Sequence, residues 1–352
     1  MVENMQEKRL KVRNNSIDLV KWMASLLVVS VHSDAFSDIS PLMGHIINSV
    51  FGRMVVPFFA CVTGYYLTEY SVEKPKMWLK NLKSLFKYYV LLSVIYVAWD
   101  AVCHHFSGMS VENIIYTVVK RFVIYGTYYH LWFFPSMMVA VVVLHFSLKW
   151  KKEKLCWILC ILGFIFGSLT YTWYGLILWE KIPLMNRLMV WYDFLYIRRF
   201  ITCICPFAFL GNFLSYQKNI WINACLERKF PRKIAVFMII WILMDIAEVE
   251  VANYLGFAEG TTGSFCLLPA ILFLFLFLLM HPAKTKRMTI VGYYSGKASI
   301  ILYGFHPLVL ELICKLMNLP PTVAWCMAVL FLCTITWGWQ QRYKLYISME
   351  KR

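Results

Sequence analysis

Stretches of about twenty apolar residues separated by short basic segments run the length of this chain, and they leave it few ways to fold. A stretch that long crosses the roughly 30 Å hydrocarbon core of a bilayer as an α-helix. In lipid the backbone polar groups must be satisfied within the segment itself, which favours helices over open strands. Read with a window of about 20 residues, the expected spans are 17–36, 46–68, 85–106, 129–148, 155–174, 200–216, 234–254, 264–281, 298–316 and 321–340. The predicted fold is an all-α integral membrane protein of about ten transmembrane helices.

Composition agrees with that frame. The 352 residues are 60% hydrophobic and only 15% charged, with a mean hydropathy of +0.61, too apolar for a soluble domain. A net charge of +16 raises nucleic acid as a partner. The distribution argues against it: Lys and Arg concentrate in the alternate segments 8–13, 74–87, 149–154, 218–233, 284–297 and 342–352. That alternation is the positive-inside pattern and places both termini in the cytoplasm. It divides the chain into a basic cytoplasmic tail (1–15), a single membrane domain (16–341) and a short cytoplasmic tail (342–352). No small-residue cleavage site follows the first apolar stretch, so that span is expected to remain. The eleven cysteines lie mostly inside spans with no CxxC pair, and they read as packing residues rather than metal ligands.

Ionisable groups inside a span are costly and become functional candidates by default. The first span carries Asp18, Lys21, Ser25 and His32. An offset of eleven residues is three turns plus about 20°, so Lys21 and His32 share one helix face about 16 Å apart along the axis. Asp18 and Ser25 fall within about 40° of the same line. His32 is placed toward the outer half, where a neutral imidazole can take a proton from a hydroxyl. Arg53, about two turns inside the outer end of the second span, needs an anion, and Asp34 and Asp38 are nearest by topology. His130 and Trp132 open the fourth span within an aromatic belt. Tyr303 and His306 precede Pro307, which removes a helix hydrogen bond and frees a carbonyl. Glu248, Glu250 and Asp245 near the outer end of the seventh span read equally well as solvated acids. Val111 to Tyr125 carries Ile114, Ile115, Val118, Val119 and Phe122 at helical spacing and is expected to lie flat on the outer membrane surface. No GxSxG, P-loop, HExxH or GxGxxG motif points to a soluble-type active site.

At these residues the chain resembles the acyltransferase 3 family of integral membrane acyltransferases. The likeness rests on Ile17-Asp18-Leu19-Val20-Lys21 with ten residues before His32, on Arg53 to Leu67 with its Pro57-Phe58-Phe59 and Gly64-Tyr65, on His130-Leu131-Trp132, and on His306-Pro307. The segment from Tyr129 to Pro135 also resembles the membrane half of vancomycin-resistance serine racemases. The resemblance implies transfer of a short acyl group, commonly acetyl from acetyl-CoA, to a hydroxyl of an extracytoplasmic glycan, peptidoglycan or lipid-linked acceptor. It implies residence in the inner (cytoplasmic) membrane of a bacterium, with His32, Asp34 and Arg53 in the catalytic role. Lys21 and Ser25 would meet the acyl-CoA, and His130, Trp132, Tyr303 and His306 the acceptor. With no hydrolase-like domain read after the last span, the expectation is that either the acceptor is modified directly or a partner envelope protein completes the work, and a homodimer is a further candidate partnership. Two rivals stand beside it: a carrier for a small zwitterion such as serine, and a non-catalytic partner in an envelope assembly.

Overall fold

The computed structural model describes residues 14–73, 76–177, 183, 187, 199–227, 231–258, 263–282 and 285–349. The basic tail up to Arg13, most of the segment from 178 to 198 and the last three residues lie outside that set. Among the described residues the regular structure is helical, with no strand. The principal helices are α1 (Asn15–Ser33), α2 (Gly52–Glu73), α3 (Met77–Val102), α4 (Val111–Lys120), α5 (Phe133–Lys149), α6 (Glu153–Leu169), α7 (Cys205–Glu227), α8 (Pro231–Tyr254), α9 (Leu267–Met280), α10 (Lys286–Leu316) and α11 (Pro321–Met349).

Among the described residues, six segments are long and apolar enough to cross a membrane: Asn15–Ser33, Pro41–Thr68, Met77–Val102, Phe200–Gln217, Tyr294–Leu316 and Pro321–Gly338. α5 and α9 are apolar but shorter. The other two expected spans are also helices, α6 of 17 residues and α8 with Asp245, Glu248 and Glu250 in its body. The chain is therefore a helical, multi-pass membrane protein in which length and composition single out six of the ten expected spans.

Two compact units divide the chain. The first comprises Met1–Val55 and Phe273–Arg352, the second Val56–Leu272. In the first unit α1, α10 and α11 pack together around Val29, Ala298, Leu302, Val309, Leu310, Ala328 and Leu332. The N-terminus of α1 is capped by Asn14, whose side chain accepts from Ser16 N at 3.0 Å and donates to Leu278 O at 2.9 Å. Gly292 lets α10 approach closely, because a Cβ there would stand 2.6 Å from the Asn15 carbonyl oxygen. The indole of Trp325 on α11 donates to Leu26 O at 3.1 Å.

In the second unit α2 and α7 cross at two glycines. A Cβ on Gly64 would lie 1.9 Å from Ala208 O, and one on Gly211 would lie 2.0 Å from Cys61 O. α4 has no buried residue. Its apolar stripe is split, with Ile114, Val118 and Phe122 half-buried while Val111, Ile115, Val119 and Val123 form an exposed row. Arg121, just beyond α4, donates to the buried carboxylate of Asp100 at 3.0 Å, and His105 meets the other oxygen at 2.9 Å. Arg121 thus moors the end of α4 to the C-terminal end of α3, and His105 holds the Asp100 carboxylate from within the same turn.

Candidate active site

α1 ends at Ser33, three residues short of the expected span, because the chain turns into the left-handed region at Asp34 (φ 53°) and again at Phe36 (φ 71°). Asp tolerates that region better than a bulky aromatic, so Phe36 holds local backbone strain. The turn is tied down by its partners. Phe36 N donates to Thr322 Oγ1 at 2.7 Å, the Thr322 hydroxyl donates to Asp38, and the Phe36 ring lies 5.2 Å from that of Trp325. Asp38 therefore sits at the N-terminus of α11, where its charge meets the positive end of the helix dipole.

The next segment returns through a short helix, Pro41–His45, into a π-helical turn, Ile46–Phe51. Such insertions recur at functional sites because they re-aim a side chain. Here the re-aimed residue is Asn48, buried, which accepts from Ser30 Oγ at 2.7 Å and donates to Ala35 O at 2.9 Å and to Asp34 Oδ1 at 3.3 Å. Nothing local in the sequence marks Asn48, since its partners lie 13 to 18 residues away. Gly52 follows, its missing Cβ leaving room for Val31, a neighbour of His32.

Within this frame His32 occupies the last turn of α1 and is exposed. His306 of α10 stacks on it, with ring centroids 5.1 Å apart and planes 24° from parallel, and is itself fully buried. Arg53, also exposed, lies within electrostatic range of His32. α10 continues through Pro307 to Leu316 without a break. Pro307 has no N–H for the carbonyl of Tyr303, and His306 Nδ1 lies 2.9 Å from that oxygen and 3.1 Å from Leu302 O. The helix thus survives the proline by recruiting the preceding imidazole. Tyr303 is buried on the same helix, its ring 6.2 Å from that of His306.

Three turns deeper, Lys21 Nζ lies 3.8 Å from the fully buried carboxylate of Asp18. Ser25 is buried, its hydroxyl 2.9 Å from Lys21 O and 3.3 Å from Ser299 O, so it helps join α1 to α10. The first unit therefore brings together Lys21 with Asp18, and His32 with Arg53, His306 and Tyr303. Asp34 is held by Asn48.

His130 and Trp132 belong to the second unit. His130 is buried in an aromatic cage, its ring 4.9 Å from Tyr96, 5.9 Å from Tyr128 and 5.6 Å from Tyr129. The Arg199 guanidinium stands 5.2 Å over the Trp132 ring. Glu248 accepts from Trp173 Nε1 at 2.8 Å, Phe265 N at 2.7 Å and Cys266 N at 2.8 Å, and Ser264 donates to Asp245. These two acids organise the entry to α9, as a carboxylate does at a helix N-terminus.

The sequence profile of acyltransferase family 3, described as an acyltransferase domain, matches residues 14–339. The chain belongs to the acyltransferase 3 family. Among curated proteins, this family member is similar to an amino-acid racemase of Enterococcus faecalis, 26% identical over 318 residues, covering 86% of this chain and 42% of the relative. It is also similar to a serine/alanine racemase of Enterococcus gallinarum, 26% identical over 311 residues, covering 84% of this chain and 41% of the relative. The chain spans about two-fifths of the length of these relatives. No solved structure matches it.

Proposed function

We propose that this acyltransferase 3 protein moves a short acyl group, acetyl as the leading case, from cytoplasmic acyl-CoA to a hydroxyl of an extracytoplasmic glycan, peptidoglycan or lipid-linked acceptor. The observation that carries the reading is the exposed imidazole of His32, backed by a buried histidine, beside Arg53 on a polar face that leads down to Lys21. His32 takes the proton of the acceptor hydroxyl. The oxygen then attacks the thioester carbonyl, the C–S bond breaks, and CoA leaves as the thiolate that recovers a proton. The guanidinium of Arg53 is suited to the oxyanion formed at that carbonyl. Lys21 would meet donor phosphates at the inner end. Its Asp18 partner holds the ammonium near the helix, and Ser25 would steady the same stretch of α1 against α10. Asp34, gripped by Asn48, sets the turn that ends α1 beside His32. His130 and Trp132 are proposed for the acceptor. The inner membrane is the proposed location, with both termini cytoplasmic.

The decisive experiment is release of free CoA from acetyl-CoA by purified protein in detergent, with His32→Ala and Lys21→Ala alongside. Wild type is expected to turn over. His32→Ala should bind the donor and lose turnover by about a hundredfold or more, whereas Lys21→Ala should weaken donor binding. A folded wild type that neither binds nor cleaves any of a panel of acyl-CoAs would end this reading. The amino-acid racemase names of the relatives favour a second one, a carrier for a small zwitterion such as serine. Uptake of labelled serine into proteoliposomes without any acyl-CoA would establish it.

A further inference from the structure

Resting on the acyl-transfer reading, we infer that His306 is a positioning residue for His32, and that Pro307 fixes the tautomer in which it acts. A carbonyl oxygen only accepts, so the two carbonyls at 2.9 and 3.1 Å require His306 Nδ1 to carry the proton. In the neutral ring the lone pair is then on Nε2. The nearer carbonyl, Tyr303 O, is the one a helical residue at 307 would have bonded through its own N–H, and proline has none. The missing N–H therefore selects the imidazole's tautomer and pins its ring plane. That pinned ring is fully buried and lies against His32, which is exposed. With the pinned ring packed against His32, His306 acts on the reaction through that neighbour. Its stack sets the plane of the His32 imidazole, and hence the direction in which His32 receives a proton. This replaces the sequence-based assignment of His306 to the acceptor and gives the His306-Pro307 pair one joint task.

The test reads the tautomer and the rate separately. In protein labelled with ¹⁵N-histidine, the signal lost in His306→Gln identifies His306, and wild type should display a protonated Nδ1 and a bare Nε2. A wild-type His306 protonated at Nε2 alone overturns the inference without any activity measurement. Pro307→Ala restores an N–H for Tyr303 O and should convert the signal to a mixture of tautomers. In the same variant kcat for CoA release should fall on the order of tenfold or more, with KM for acetyl-CoA within about twofold, because donor binding is untouched and only alignment is lost. Full-rate Pro307→Ala with a wild type that turns over overturns the inference alone. A wild type that turns over no acyl donor overturns the acyl-transfer reading and the catalytic role of His306 with it. If thermal unfolding reports that Pro307→Ala is poorly folded, His306→Asn serves instead. Asn keeps a donor for the two carbonyls but removes the ring from His32, so kcat must drop with KM retained, and a full-rate His306→Asn overturns the inference.

Discussion

Asn48 joins three otherwise separate groups: the Ser30 hydroxyl, the Ala35 carbonyl and the Asp34 carboxylate. Because the site is buried, removing the amide strands polar groups that water cannot reach easily, and each costs about 1–3 kcal/mol. Asn48→Leu should therefore lower the thermal midpoint clearly and also slow turnover, since the turn it holds ends the helix that carries His32. Asn48→Asp should recover neither, for the carboxylate cannot donate to Ala35 O and repels Asp34. Normal stability of Asn48→Leu, measured by thermal unfolding in detergent, would mean the network has no mechanical role. At this scale the sequence was partly legible. Lys21 and His32 declared themselves because charge in an apolar span is expensive, and Pro307 because it must free a carbonyl. Asn48 and the Asp38 contact to Thr322 were illegible: amides and turns are ordinary in composition, and the second pairing closes a loop of 284 residues.

Helix identity followed from apolar length, but where helices end or meet followed from contacts that hydropathy does not encode. α1 stops early at a left-handed turn, and α10 does not stop at its proline. The crossing of α2 and α7 is set by two glycines whose absent side chains admit the opposing carbonyls. Small residues allow such backbone approach between membrane helices. Gly211→Ala must push Cys61 O away from a Cβ at 2.0 Å, and backbone yields poorly, so the variant should lose stability or separate the helices. Gly338→Ala is the matched control on α11, where a Cβ meets nothing within 4 Å. There the ordinary advantage of Ala over Gly in a helix, about 0.5–1 kcal/mol, should appear as equal or higher stability. Comparable thermal midpoints for the two alanine variants would dismiss the close crossing as a determinant of the fold.

For the molecule as a whole, charge and helix length say different things about how often the chain crosses the bilayer. Among the described residues length and composition single out six segments, while the alternation of basic stretches fits ten. The difference lies in α5, α6, α8 and α9, which are short or carry acids. Those acids have partners: Glu248 accepts three hydrogen bonds and Asp245 one, so the cost of placing them at membrane depth is reduced by protein contacts rather than by water. A helix of 17 residues rises about 25 Å, enough to bridge a locally thinned bilayer with its ends in the interfaces. Topology reporters fused after Gly108, Lys151, Thr172 and Gly256 separate the counts. Crossing by α5, α6 and α8 predicts phosphatase activity outside for fusions after Gly108, Thr172 and Gly256, and none after Lys151. If α5 and α6 instead form a re-entrant pair that does not cross, the fusion after Lys151 becomes active like its neighbours. The polar face from Lys21 to His32 would still span the membrane in α1, but the basic segment at 149–154 would no longer be cytoplasmic, and the charge alternation would lose its meaning for this fold.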